Sequence, residues 1–262
     1  MSRFLAYGIV LSVYLMFFGD AIYNAVLLWA SPGIQGTLQS LTWPIAASQA
    51  LDELLQSFTA VAVVYLVLKW RRLPTSSIGV FPLWARQRPT RWRVAGLVGL
   101  IAFGALFGGA MIDGLLTSRT FPFLKPSGPD LLNGLVSAFN AGIVEETVVL
   151  GLLVVLLRQT KAGRVEIVLV VTVLRCLYHL YYGPGVVGVV VWAAVFAVLF
   201  LSFRRLTPLI VAHWLWDSIG NLVQQHEGLS VGLILLASFL TLCVTLIWKP
   251  RDRGRELLLP DT

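Results

Sequence analysis

The chain of 262 residues is 57% hydrophobic and 13% charged, with a mean hydropathy of +0.81; soluble globular domains run at about 45–50% apolar and about 25% charged residues. That composition excludes a soluble enzyme with a single anchor and leaves no polar stretch long enough for a separate soluble domain, so the reading is one all-α, polytopic integral membrane domain over residues 1–262. The net charge of +7 does not point to nucleic acid, because the basic residues sit in short loops between apolar runs, which is the positive-inside pattern.

Taken in order, residues 4–30 and 44–70 predict the first two transmembrane helices, joined by an uncharged loop over residues 31–42. The first run is too long for a signal-peptide core and is closed by no small-x-small site, so it is read as an uncleaved span. Asp20 in the first run, and Asp52 with Glu53 in the second, either face the bundle or mark a hydrophobic segment that starts near Leu54. No histidine accompanies them, and no chemistry is assigned to them. The basic stretch over residues 69–93 is broken by Pro74, Pro82 and Pro89, and its aromatic centre over residues 78–84 suits the membrane interface.

Residues 94–116 predict the third span, in which Gly104 and Gly108 offer a small-xxx-small face for a neighbouring helix. A Pro- and Gly-rich loop precedes the fourth span, residues 131–157. The fifth covers residues 165–182 and stops at Gly183-Pro184-Gly185. Residues 186–203, 206–223 and 229–248 supply the remaining three, for about eight in all. With eight spans, seventeen of the twenty Lys and Arg residues fall on the side of both termini, Arg119 and Lys125 fall opposite, and Arg175 lies within a span. The positive-inside rule therefore puts both termini in the cytoplasm of a multi-pass plasma-membrane protein. The excess of Arg over Lys points to a high-GC bacterium. Cys176 and Cys243 lie inside apolar runs and imply neither a disulfide framework nor a metal site.

Three spans carry residues that a bilayer penalises. The fourth has Glu145 and Glu146, the fifth Arg175 and His179, and the seventh His213, Asp217 and Asn221. A charged group at such depth costs roughly 2.5–3.5 kcal/mol on insertion scales, so these groups must pair or line a wet cavity. Helical spacing puts Arg175 one turn below His179 and aligns His213, Asp217 and Asn221 in one stripe. Glu145 and Glu146 diverge by about 100°, so at most one points straight into a shared site and the other is a supporting partner. A glutamate and two histidines make an acid–base set. The glutamate can act as general base on water, and the histidines can hold that water, donate to an oxyanion or ligate zinc. The His-Glu-x-x-His pattern that signals zinc strongly is missing. His226, in an outer loop, reads as a solvated surface residue.

These motifs resemble the CAAX-protease and bacteriocin-processing (CPBP/Abi) family of intramembrane endopeptidases, related to the CAAX prenyl endopeptidases. The family's Glu-Glu-x-x-x-Arg motif is met by Glu145, Glu146 and the following Gly151, with Leu150 in the Arg position. Its Phe-x-x-x-His motif is met by His179, with Arg175 in the Phe position, and its His-x-x-x-Asn/Asp motif by His213 and Asp217. The resemblance covers residues 131–223 as a catalytic core. It implies hydrolysis of peptide bonds in membrane-embedded or membrane-associated proteins or peptides. Eukaryotic relatives remove the last three residues of prenylated proteins. It also implies that Glu145 activates the water with help from His179, that His213 and Asp217 stabilise the oxyanion and position the substrate, and that Glu146 supports them, with a metal-free glutamate mechanism favoured and a zinc ion as the alternative. The lost motif Arg suggests that Arg175 is a relocated cation reaching Glu146 or Glu145. Two other readings share these residues: a non-catalytic peptide-binding scaffold or bacteriocin-immunity protein, and a small proton-relay transporter, although no inverted repeat accompanies the latter.

Overall fold

The computed structural model describes residues 2–30, 41–79, 89–117, 128–223 and 229–248. The aromatic residues 80–84, Arg119, Lys125, His226 and the basic tail lie outside them. The described residues form helices and no strand, in keeping with the rule that a bilayer admits only backbones that satisfy their own hydrogen bonds. The helices are α1 (Arg3–Ala30), α2 (Trp43–Trp70), α3 (Pro89–Leu116), α4 (Gly128–Glu145), α5 (Leu153–Gln159), α6 (Arg164–Leu177), α7 (Val186–Phe203), α8 (Thr207–Val223) and α9 (Leu229–Trp248). A π-helical segment, Glu146–Leu152, joins α4 to α5, so the two make one rod. Counting that rod once, the helices of the described residues match the eight expected spans one for one. Five of them are long and apolar enough to cross a membrane by length and composition: α1, α2, α3, the α4–α5 rod, and α7 with the turn before it.

Local chemistry sets the ends. Proline occupies the first turn of α2, where its missing N–H costs nothing. Glu166 accepts a hydrogen bond from the Gly163 N–H at 3.3 Å and caps the start of α6. Arg72, Lys161 and Arg204 take positive φ just past α2, α5 and α7, a helix-ending conformation that also sets a cation beside the last carbonyls. α6 stops short of the expected span. It ends at Leu177, His179 sits on a turn, and Leu180–Gly185 forms a 3₁₀ segment with Gly183 at φ 61°. Gly185 comes so close to the Asp113 carboxylate that any Cβ there would collide with it.

The α4–α5 rod is the axis of the bundle. It packs against α2, α8 and α1, while α3 lies across α7, α8 and α9, and α6 packs on α7. The small-residue contacts of α3 differ from the expectation. A Cβ added to Gly104 or Gly108 would meet nothing within 4 Å, whereas one on Gly109 would meet the backbone of Gly188 on α7, and Gly96 and Gly99 face Cys243 on α9. The contact face lies one residue from the expected one, about 100° around the helix. Asp20 and Asp52 are exposed rather than facing the bundle, and Glu53 is half-buried. Of the stretch expected at the membrane interface, Ile78 is buried against the protein, and Gly79 beside it abuts the Arg204 carbonyl in the α7–α8 turn.

Candidate active site

The three spans that carry polar residues converge. At the junction of α4 and the π-helical segment, the adjacent glutamates part company. Glu146 is fully buried, and its Oε1 receives Arg175 Nη1 at 2.8 Å and lies 2.8 Å from His213 Nδ1. One carboxylate oxygen thus joins α6 and α8 to the central rod. Arg175 is also fully buried. Its guanidinium lies 4.6 Å from the Trp192 ring centroid and 5.8 Å from that of Phe196, within cation–π range. Among the described residues Arg175 Nε and Nη2 have no hydrogen-bond acceptor; the aromatic faces are their neighbours instead. A cation in this place compensates Glu146 where Leu150, buried in the core, occupies the motif's Arg position.

Glu145 is half-buried and turns toward a cavity of about 1140 Å³. Its Oε2 accepts a hydrogen bond from the Tyr178 hydroxyl at 2.8 Å. Tyr178 is itself held by stacking on Phe18, with centroids 4.5 Å apart. The two glutamates therefore divide as their angular separation requires, one on the cavity wall and one behind it. The π-helical turn begins where they diverge; such widened turns are frequent at functional sites.

His179, His213, Asp217 and Asn221 line the same cavity as Glu145. His179 Nδ1 lies 2.9 Å from the Arg175 carbonyl. A carbonyl only accepts, so Nδ1 carries the proton, and in the neutral form of the ring Nε2 is then the acceptor. Tyr182 stacks on this ring at 5.5 Å with an interplanar angle of 11°. His213 faces a carboxylate at each ring nitrogen, with Nε2 3.4 Å from Asp217 Oδ2, a looser contact than the one to Glu146. Asn221 donates to the Gly134 carbonyl at 2.9 Å and ties α8 to α4 along the cavity wall. A second tie, from Ser57 through Asn140 to Gln56, holds α2 against α4 at 2.7 and 2.6 Å.

His213 is engaged by carboxylates at both nitrogens, whereas His179 meets a carbonyl at Nδ1 and keeps Nε2 toward the cavity. Among the described residues no three His, Cys, Asp or Glu side chains are grouped to hold a metal ion.

All seven residues named from the sequence belong to this cluster: five on the cavity wall, with Glu146 and Arg175 behind it. Sequence reasoning missed Tyr178 and Trp192. Tyr178 stands next to His179 in the motif, an available signal. Trp192 sits in a wholly apolar run, where an aromatic residue has no distinguishing mark.

Residues 127–219 match the family model described as type II CAAX prenyl endopeptidase Rce1-like. The resemblance read from three short motifs is thereby shown over that segment, which contains every glutamate, histidine and arginine of the cluster. No curated protein and no solved structure matches the chain.

Proposed function

From the Rce1-like core carried by residues 127–219, we propose that this multi-pass membrane protein is an intramembrane endopeptidase. It hydrolyses peptide bonds of membrane-embedded or membrane-associated proteins or peptides with a water activated by Glu145. The observation that carries the reading is the division of labour between the glutamates. Glu146 is neutralised by Arg175 and His213 behind the wall, while Glu145 is presented to a cavity large enough for a peptide segment.

The Tyr178 hydroxyl occupies one Glu145 oxygen and leaves the other for water. Glu145 takes a proton from that water as its oxygen attacks the scissile carbonyl carbon, and His179 Nε2 accepts the water's second hydrogen and orients it. Negative charge then develops on the carbonyl oxygen. The His213 Nε2–H, loosely held by Asp217, turns to donate to this oxyanion. Glu145 returns its proton to the leaving nitrogen, the C–N bond breaks, and the products are a carboxylic acid and an amine, which ionise to a carboxylate and an ammonium. Asp217 and Glu146 orient His213, and Arg175 pairs with Glu146 and holds it in place. The pairing lost at Leu150 is supplied from α6 by Arg175, which supports this reading.

The test is cleavage of a membrane-peptide library by purified protein, wild type beside Glu145→Ala and His179→Ala, with and without chelator. We expect wild-type cleavage, unaffected by chelator. A lost general base lowers the rate by about 10²–10⁴-fold. Folded wild type that cleaves nothing would overturn the proposal in favour of a peptide-binding scaffold.

A further inference from the structure

The cavity occupies one half of the bundle, and it is the half away from the arginines. α2 and α9 start at that end and contribute Gln49 and Leu233 from their first two turns, while α3 and α8 finish there and contribute Asp113 and Asn221. α7 contributes residues no deeper than Trp192. Glu145 and His213 lie deep in this wall, near the middle of the α4–α5 rod and of α8. The rim is open, with Gln49, Phe107, Gly220 and Leu233 all exposed.

The other half is sealed. Residues 146–157 are buried without a break, and Phe196, Phe200, Leu206 and Leu209 close the space around them. That sealed end carries Arg71, Arg72, Arg158, Lys161, Arg164, Arg204 and Arg205 at its helix termini. At the cavity end the described residues include Asp113 and Asp130 and no Lys or Arg, and the sequence adds Arg119 and Lys125 there. Short basic loops stay in the cytoplasm during insertion.

We infer that the cavity opens on the non-cytoplasmic face of the membrane and receives peptide segments presented from that side. Resting on the endopeptidase reading above, this makes the substrates secreted or membrane peptides whose cleavage site lies in the outer half of the bilayer or just beyond it. A substrate approaching from the cytoplasm meets the arginine-rich end and the unbroken apolar seal.

Two arms test this. In a cysteine-free background, Gly220→Cys and Asn133→Cys place a thiol on the cavity wall and Gln159→Cys places one at the basic end. Gly220 has room for the new side chain, and Asn133 Oδ1 has no hydrogen-bond partner among the described residues. A membrane-impermeant maleimide should label both cavity thiols in intact cells as fully as after permeabilisation, and Gln159→Cys after permeabilisation alone. The reverse pattern, or cavity thiols that react only after denaturation, overturns the inference. In the second arm, wild type is reconstituted in one orientation, and a library peptide that it cleaves in detergent is added to one compartment at a time. Cleavage from the cavity side supports the inference. Cleavage from the basic side overturns it and leaves the endopeptidase reading intact. If no peptide is cleaved in detergent or in vesicles, the endopeptidase reading falls, while the labelling still decides where the cavity opens.

Discussion

Two long apolar helices of this protein, α2 and the α4–α5 rod, would be hard to tell apart by length or apolarity, yet they live in different surroundings. In the most apolar window of α2, 22% of residues are buried, against 78% in that of the rod. α2 turns Leu51, Leu55, Phe58 and Leu66 outward and packs through Ala46, Ala50, Ser57 and Ala60. The rod buries leucine and valine on all sides. In a bilayer the outside is as apolar as the inside, so hydrophobicity does not sort helices into core and periphery. Small residues and polar anchors do that work instead. α2 has a small face and hydrogen-bonded ties to α4, whereas the rod carries the glutamates to which α6 and α8 attach.

If the polar anchors hold the core together, the largest effect comes from removing the cation. Arg175→Met leaves Glu146 buried with one partner fewer. Breaking a buried pair from one side costs about 3–5 kcal/mol. Thermal unfolding in detergent should show that loss, and adding Glu146→Gln should recover a good part of it, because the uncompensated charge is gone. A silent Arg175→Met would show that the core coheres by apolar packing alone.

The second test contrasts the two helices directly. Leu156→Ala empties a site enclosed on every side in the rod and should cost about 2–5 kcal/mol. Leu55→Ala on α2, with its side chain 53% exposed, should stay within about 0.5 kcal/mol. Equal losses at both positions would mean that α2 is covered by something other than lipid.

How far the sequence could take these distinctions depended on which physical signal was at hand. The eight helices were legible because apolar runs, proline and glycine stops, and basic loops are direct consequences of the bilayer. The cluster was legible because charge inside an apolar run is expensive, so Glu146 needed a cation and Arg175 needed an anion; the 2.8 Å contact joins them. The π-helical segment left no mark, since its residues, Glu146–Leu152, read as ordinary helix formers with β-branched neighbours. The early end of α6 was hidden for a similar reason: Tyr178 to Tyr182 is apolar enough to continue a span. The glycine face of α3 was misread because three sides of that helix carry small residues, and spacing alone does not say which side meets a partner.

The smallest effect we expect separates positioning from packing within the core itself. Tyr178 is buried and stacked on Phe18, so Tyr178→Phe keeps the ring in place and should leave the unfolding temperature nearly unchanged. What it removes is the hydroxyl that donates to Glu145 Oε2 at 2.8 Å. A hydrogen bond to a charged group contributes about 1.5–3 kcal/mol, and at the lower figure its loss corresponds to about a tenfold slower reaction. If Tyr178 positions the general base, kcat falls by about that factor while KM holds, because the freed carboxylate spends less time aimed at the water but the peptide still fills the same cavity. A merely structural tyrosine would show the opposite split, with KM or stability moving and kcat unchanged. That outcome would return Tyr178 to the same category as the lipid-facing aromatics of α2, a ring valued for its area and not for its hydroxyl.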